Sequence, residues 1–220
     1  MTREKQIEDA YRLASERYAL LGVDTERAIQ RLSRVSISLH CWQGDDVIGF
    51  EGATQLTGGI LATGNYPGRA RNIEELQGDF ELAHRLIPGT HRMNLHAMYL
   101  ERQGKKIDRN EIEPHHYEGW IDWARSLKIA LDFNPTFFNH EKSSLGFTLS
   151  HWDPGIRKFW IEHGKRSRRV AQYMGKKLNT VCINNFWIPD GWKDYPADRV
   201  APRQRLIEAL DEIFNESLDT

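Results

Sequence analysis

Little in this chain is extreme, and each shortage excludes a class. Cys41 and Cys182 are the only cysteines in 220 residues, too few for a disulfide-stapled secreted scaffold. Both sit in apolar, strand-like runs, so reduced, buried thiols are expected. Eight prolines and 17 glycines, without a G-X-Y period, exclude collagen and low-complexity chains. No apolar run approaches the roughly 20 residues that a bilayer-spanning helix needs, so no membrane partner is expected. Charge of one sign is also missing: 30 Lys and Arg stand against 31 Asp and Glu. Non-specific nucleic-acid binding depends on excess basic residues, so nucleic acid is not expected as a partner either. The opening residues, Met1 to Gln6, carry no apolar signal region, which points to the cytoplasm. Nor is there a dinucleotide or P-loop glycine pattern, and Gly58-Gly59 with Gly64 do not form one.

What is present is an ordered alternation of periods. Ile7, Tyr11, Ala14, Tyr18 and Leu21 step by four, three, four and three, one face of a helix that Gly22 ends. A short helix from Asp24 or Thr25 follows, with Ala28 and Leu32 expected inward. Val35 to Cys41 then reads as a strand. Residues 52–72 are rich in Gly, Thr, Asn and Pro but keep apolar anchors, the mark of a long ordered loop or flap. A helix over 73–86, a strand over 92–100, a helix over 111–128 and a strand over 129–134 follow. Asp153-Pro154 caps a long helix, a strand is expected over 180–187, and the last helix starts near Pro202. The basic run Lys165 to Arg169 is expected to be a solvated helix face.

The order is a helical lead-in and then four strands, each followed by a helix. Such βα alternation implies an α/β fold with a parallel sheet and right-handed crossovers. A closed (β/α)8 barrel needs eight units and about 250 residues, so four units make a small open sheet or half a barrel. A single domain over residues 1–220 is expected.

Side chains alternate across a strand, so parity tells which travel together. His40 shares a face with Ser36, Ser38 and Trp42, Asn94 with His96, Asp132 with Asn134, and Asn185 with Trp187. Each polar or aromatic group lies toward the C-terminal end of its strand, where α/β proteins bind ligands. Asn, Asp and His exchange hydrogen bonds with hydroxyls, and Trp supplies a flat apolar wall, so a sugar-like ligand suits this lining. A lone strand histidine is more often a satisfied structural residue, but recurrence on four strands at one end favours a site. His40, His96 and Asp132 have the types of a two-His-one-carboxylate metal site, though not the local spacing that would make one specific.

The strings Ser38-Leu-His-Cys-Trp-Gln-Gly-Asp-Asp-Val47, Leu56-Thr-Gly-Gly-Ile60, Ala62-Thr-Gly-Asn-Tyr-Pro-Gly68, Asn94-Leu-His-Ala97, Leu131-Asp-Phe-Asn-Pro135, Phe147-Thr-Leu-Ser-His151, Trp187-Ile-Pro-Asp-Gly191 and Ala201-Pro-Arg-Gln-Arg-Leu206 closely resemble L-rhamnose isomerase. The likeness runs almost end to end, in family order, and matches the family's N-terminal half. It implies a (β/α)8 TIM barrel, here about four units, and a cytoplasmic aldose-ketose isomerase that interconverts L-rhamnose and L-rhamnulose. It also implies Mn2+ or a similar divalent ion, no organic cofactor, and a homotetramer. His96 looks like the family's strand-end histidine beside the sugar and Trp187 like its stacking tryptophan. Trp42 and Tyr66 are further substrate-binding carry-overs. The resemblance implies that the family's metal ligands lie beyond Thr220, in its other half. No metal or catalytic residue is therefore carried onto this chain, and the chain alone is expected to be inactive. Two other classes stand beside this one: a small metal-dependent hydrolase or aldolase using His40, His96 and Asp132, and a non-enzymatic sugar-binding subunit.

Overall fold

The computed structural model describes residues 2–41, 49–51, 70–102, 104–191 and 197–218. It divides into two compact units, residues 1–37 with 88–90, and residues 38–87 with 91–220.

The first unit holds α1 (Arg3–Ala19) and α2 (Thr25–Leu32). Thr2 and Asp24 cap them, each accepting from the N–H three residues on. The two helices meet through polar groups: Tyr11 Oη donates to Glu26 at 2.6 Å, and the Ser15 and Thr25 hydroxyls lie 2.8 Å apart. Neither helix buries a residue. The inward positions expected for Ala28 and Leu32 are therefore not realised; both are exposed, Leu32 by 62%. Their spacing is helical, but no described element covers them.

The second unit is built on a sheet of order β1-β2-β3, from β1 (Ile37–His40, of which residues 38–40 belong to this unit), β2 (His91–His96) and β3 (Ala130–Asn134). β2 and β3 run parallel, with Arg92 opposite Ala130, Asn94 opposite Asp132 and His96 opposite Asn134. Met93, Leu95, Leu131 and Phe133 are fully buried among residues of α3 (Ile73–Leu86), α4 (Glu118–Leu127) and α5 (Pro154–Leu178). Trp120 and Ile121 of α4 and Val170 and Met174 of α5 belong to this core. Phe137, Leu149, Trp160 and Ile213 centre a second cluster, in which α5 packs on α6 (Ala201–Phe214). Gly164 permits that crossing, since a Cβ there would sit 2.7 Å from Ile213 Cδ1. No helix of the described residues is long and apolar enough to cross a membrane.

Several expected elements are shorter, for local reasons. Pro114 lacks an N–H and holds Glu113 extended, so residues 109–117 form two 3-10 turns and α4 begins only at Glu118. β2 ends at His96 because Ala97–Tyr99 winds into a 3-10 turn. The fourth expected strand, over 180–187, is reduced to one parallel bridge between Phe133 and Asn184. Asn185 N–H donates to Phe133 O at 2.8 Å, and Phe133 N–H to Ile183 O at 2.9 Å. The neighbouring backbone is taken by side chains: Arg92 donates to Val181 O, and Ile183 N–H donates to Asp132 Oδ1 at 2.9 Å. The expected four βα units thus become three strands and a bridged segment among the described residues. The basic run is not simply solvated either. Lys165 and Arg169 pair with Glu212 and Glu216, and Arg168 donates to Ile213 O at 2.7 Å, tying α5 to the α6 end.

Neither cysteine is in a disulfide; Cys41 is buried and Cys182 half-buried. Burial, and then the negative charge of Asp132, push the Cys182 thiol up to about 12, so it stays protonated.

Candidate functional site

With the odd residues of β2 and β3 facing helices, the even ones share the opposite face. It carries Arg92, Asn94 and His96 beside Asp132 and Asn134, and nearly all of it is shielded from solvent. Buried polar groups on this scale need partners, and most of the geometry follows from that need.

Asp132 is the most committed. Arg92 Nη2 donates to its Oδ1 at 2.7 Å, Arg92 Nε reaches both oxygens, and Ser38 Oγ donates to Oδ2 at 2.6 Å. Burial pushes this carboxyl's pKa up, but the donors from Arg92, Ser38 and the Ile183 N–H, with the Arg92 charge, outweigh it and leave the pKa below the ordinary value. Asp132 is thus an ionised anchor that joins β3 to β1, β2 and the 181–183 backbone. Asn134 is also engaged: its Oδ1 accepts from Thr136 N–H at 2.8 Å, turning the chain out of β3 into a left-handed Thr136.

The histidines differ. Asn94 Nδ2 donates to His40 Nδ1 at 3.4 Å, and the His40 ring lies edge-on to His96, centroids 6.1 Å apart. Burial lowers the His40 pKa, against the pull of Asp132. His96, at the end of β2, is fully buried, and burial followed by the charges of His40 and Arg109 pushes it down to about 3. It is a neutral imidazole at neutral pH, able to donate from one nitrogen and accept at the other.

Trp187 lies just beyond the bridge to β3, 39% exposed, with its ring edge-on to Phe138 at 4.9 Å. Phe138 also meets His96, centroids 6.0 Å apart. One phenyl ring therefore joins two of the residues that strand parity picked out. Phe138 itself was missed; its only signal was a pair of adjacent Phe side chains just after Pro135, in a stretch that reads as a loop. Trp42 and Tyr66 lie outside the described residues. So does Thr220, the position beyond which the family resemblance puts the metal ligands.

The other missed group supports that loop. Arg109, fully buried, donates to Glu51 Oε1 at 2.6 Å and Oε2 at 2.7 Å, and also to Thr136 O. His163 faces Arg109 O and Pro135 O through its two nitrogens; burial and the Arg109 charge hold its pKa at about 4 against those carbonyls. Nothing in the local sequence separates Arg109 from an ordinary surface arginine, because its partners are 58 and 27 residues away.

Among the described residues, two cavities open beside the sheet, the first reaching Ser38 and His40. One of about 530 Å3 opens between β1 and α3, lined by Leu39, Leu76, Phe80 and Met93. Another of about 550 Å3 opens beside α5 and residues 179–184. Both lie at the edges of the sheet.

His40, His96 and Asp132 do not assemble as metal ligands. Asp132 is saturated by Arg92, Ser38 and Ile183, and the described residues hold no group of three or more His, Cys, Asp or Glu suited to a metal ion.

The model of the L-rhamnose isomerase (RhaA) family matches residues 5–220. The chain belongs to the L-rhamnose isomerase family. It is 58% identical to the L-rhamnose isomerase of Rhodopirellula baltica over 215 residues, 97% of this chain and 50% of that protein. It is 56% identical to the L-rhamnose isomerase of Klebsiella pneumoniae, over 97% of this chain and 51% of that protein. The Listeria monocytogenes serotype 4a enzyme is 54% identical over 220 residues, all of this chain and 52% of the relative. The chain thus spans about half the length of the L-rhamnose isomerases it matches.

Proposed function

We propose that this chain supplies the N-terminal half of an L-rhamnose isomerase, an intramolecular oxidoreductase that interconverts the aldose L-rhamnose and the ketose L-rhamnulose. The observation that carries the proposal is the match of residues 5–220 to that family. The two-sided sheet supports it. Helices cover one face, polar side chains line the other, and apolar cavities of about 530 and 550 Å3 stand open at the two edges. A sheet of this kind is suited to continue in both directions into a (β/α)8 barrel, whose interior the polar face would line.

In this reading His96 and Trp187 form part of the sugar wall. The neutral imidazole of His96 exchanges hydrogen bonds with a hydroxyl without adding charge. Trp187 offers a partly exposed flat face to the C–H side of the ring. Trp42 and Tyr66 complete the wall as expectations. The divalent ion, Mn2+ or similar, supplies Lewis-acid stabilisation of charge on the sugar oxygens when bound. The described residues do not fit it, and its ligands are expected beyond Thr220, in the half of the family that this chain does not span. A homotetramer in the cytoplasm completes the proposal.

The reading of His40, His96 and Asp132 as a hydrolase or aldolase metal site is disfavoured by the saturation of Asp132. The test is conversion of L-rhamnose to L-rhamnulose by the purified chain with Mn2+, alone and mixed with the C-terminal half of the Klebsiella pneumoniae relative. Turnover is expected in the mixture and not from the chain alone. EDTA-sensitive turnover by the chain alone would place metal ligands within it and overturn that part of the proposal. Sugar binding without turnover in either sample would favour a binding subunit.

A further inference from the structure

Trp187 stands on a segment that a sheet does not hold. Residues 186–189 follow the bridge to β3 and carry no assigned strand structure. Phe186 and Ile188, on either side of Trp187, pack into the second core cluster, with Phe186 at 5.5 Å from Phe137 and 5.2 Å from Phe214. Their alternation turns Trp187 the other way, toward Phe138, whose ring also meets His96. Apolar packing at Phe186 and Ile188 is non-directional and does not by itself fix the angle of that ring.

The far end is clamped by a carboxylate. Asp190 Oδ1 accepts from Thr148 N–H at 2.8 Å, from Ser150 N–H at 2.6 Å and from Ser150 Oγ at 2.7 Å, and Oδ2 accepts from Thr148 Oγ1. The receiving turn is itself fixed. Thr148 and Ser150 are buried, His151 N–H donates to Thr148 O at 3.2 Å, and Arg205 of α6 donates to Ser150 O at 2.8 Å. We infer that Asp190 is a positioning residue that sets the orientation of Trp187 by pinning its segment to the Thr148–Ser150 turn. The value of this for the reaction rests on the reading of Trp187 as a sugar-stacking wall. A wall held ready before the sugar arrives avoids the ordering cost that a loose side chain carries on binding.

The test uses the chain labelled with 5-fluorotryptophan, observed by fluorine NMR, with the Trp187 signal assigned from Trp187→Phe. Asp190→Ala is expected to broaden or split the Trp187 signal while those of the buried Trp120 and Trp160 stay in place. Asp190→Asn keeps a carbonyl oxygen for the two N–H donors and Ser150 Oγ, and its amide N–H can donate to Thr148 Oγ1, so all four bonds persist and a single signal is expected to return. A Trp187 signal unmoved in Asp190→Ala, or an Asn variant no better than the Ala one, overturns the inference. Should Asp190→Ala also displace Trp120 and Trp160, Thr148→Val combined with Ser150→Ala decides: it removes two donors and keeps the backbone. Broadening confined to Trp187 supports the clamp and no change refutes it. L-rhamnose added to the unsubstituted chain mixed with the C-terminal half of the Klebsiella pneumoniae relative tests the other reading. An unmoved Trp187 signal there would count against the sugar wall, while the clamp is judged from the sugar-free spectra.

Discussion

The two faces of β2 and β3 are made from alternate residues of the same eleven positions, yet they are stabilised by different physics. Met93, Leu95, Leu131 and Phe133 face helices and are held by apolar burial and close packing, which tolerates no polar partner and needs none. Arg92, Asn94, Asp132 and Asn134 face the other way and are held by a directed network of particular donors and acceptors, with His96 among them in ring contact with His40 and Phe138. A fully enclosed parallel strand usually reads as a near-continuous apolar run, and β2, His91-Arg-Met-Asn-Leu-His96, does not. The difference teaches that one face is held by non-directional burial and the other by directed hydrogen bonds.

The largest effects should come from breaking either face at its centre. Phe133→Ala on the helix side is expected to cost about 3–5 kcal/mol, through lost burial and the cavity left behind. Arg92→Ala on the polar side leaves the Asp132 carboxylate buried without its main partner. Its cost is expected near the low end of the same range, about 3 kcal/mol, because the Arg92 side chain keeps 15% of its exposure. Urea unfolding of the two variants measures both. An Arg92→Ala cost below about 1 kcal/mol would show that the polar network is ornamental to stability.

A pH series sharpens the comparison, because His96 on the polar face and His163 in its support are both held neutral by burial. His96 and His163 have folded pKa values depressed to about 3 and about 4, from an ordinary 6.5. A depressed histidine takes up its proton more readily when unfolded. Its stabilising contribution is therefore complete above pH 6.5 and is lost as pH falls toward the folded value. Each should add a slope of at most about 1.4 kcal/mol per pH unit below 6.5. His96→Phe is expected to remove one proton's worth of that slope in urea titrations between pH 7 and 5. An unchanged slope would mean that His96 is not held neutral by burial.

The smallest effect is expected in the first unit, where α1 and α2 bury nothing. Leu20→Ser, at a position 87% exposed, should change the unfolding free energy by no more than about 0.5 kcal/mol. A larger loss in the same urea assay would mean that this surface is covered in solution.

Much of this was legible from residue spacing. Period-two parity placed His40, Asn94, His96 and Asp132 toward one lining, and the helices expected over 73–86 and after the Asp153-Pro154 cap are α3 and α5. Parity also put Asn185 with Trp187, although the strand that it assumed is only a bridge. What spacing could not reveal was partnership. Asp132 has the chemistry of a ligand or a base until Arg92, 40 residues away, and Ser38, 94 residues away, are brought to its oxygens. Phe138 and Asp190 likewise read as a loop aromatic and a turn acid. One becomes the ring between His96 and Trp187, the other the carboxylate that four donors converge upon.

The amino-acid sequence by itself therefore determined the local order: which segments coil, which extend, which side chains share a face, and, through its long strings, the family. Those depend on neighbours within a few residues and on the fixed periods of the backbone. The tertiary structure alone decided which polar groups are available to meet a ligand and which are already bound. That depends on contacts between residues tens of positions apart, and a buried charge takes its role from whatever the fold places beside it.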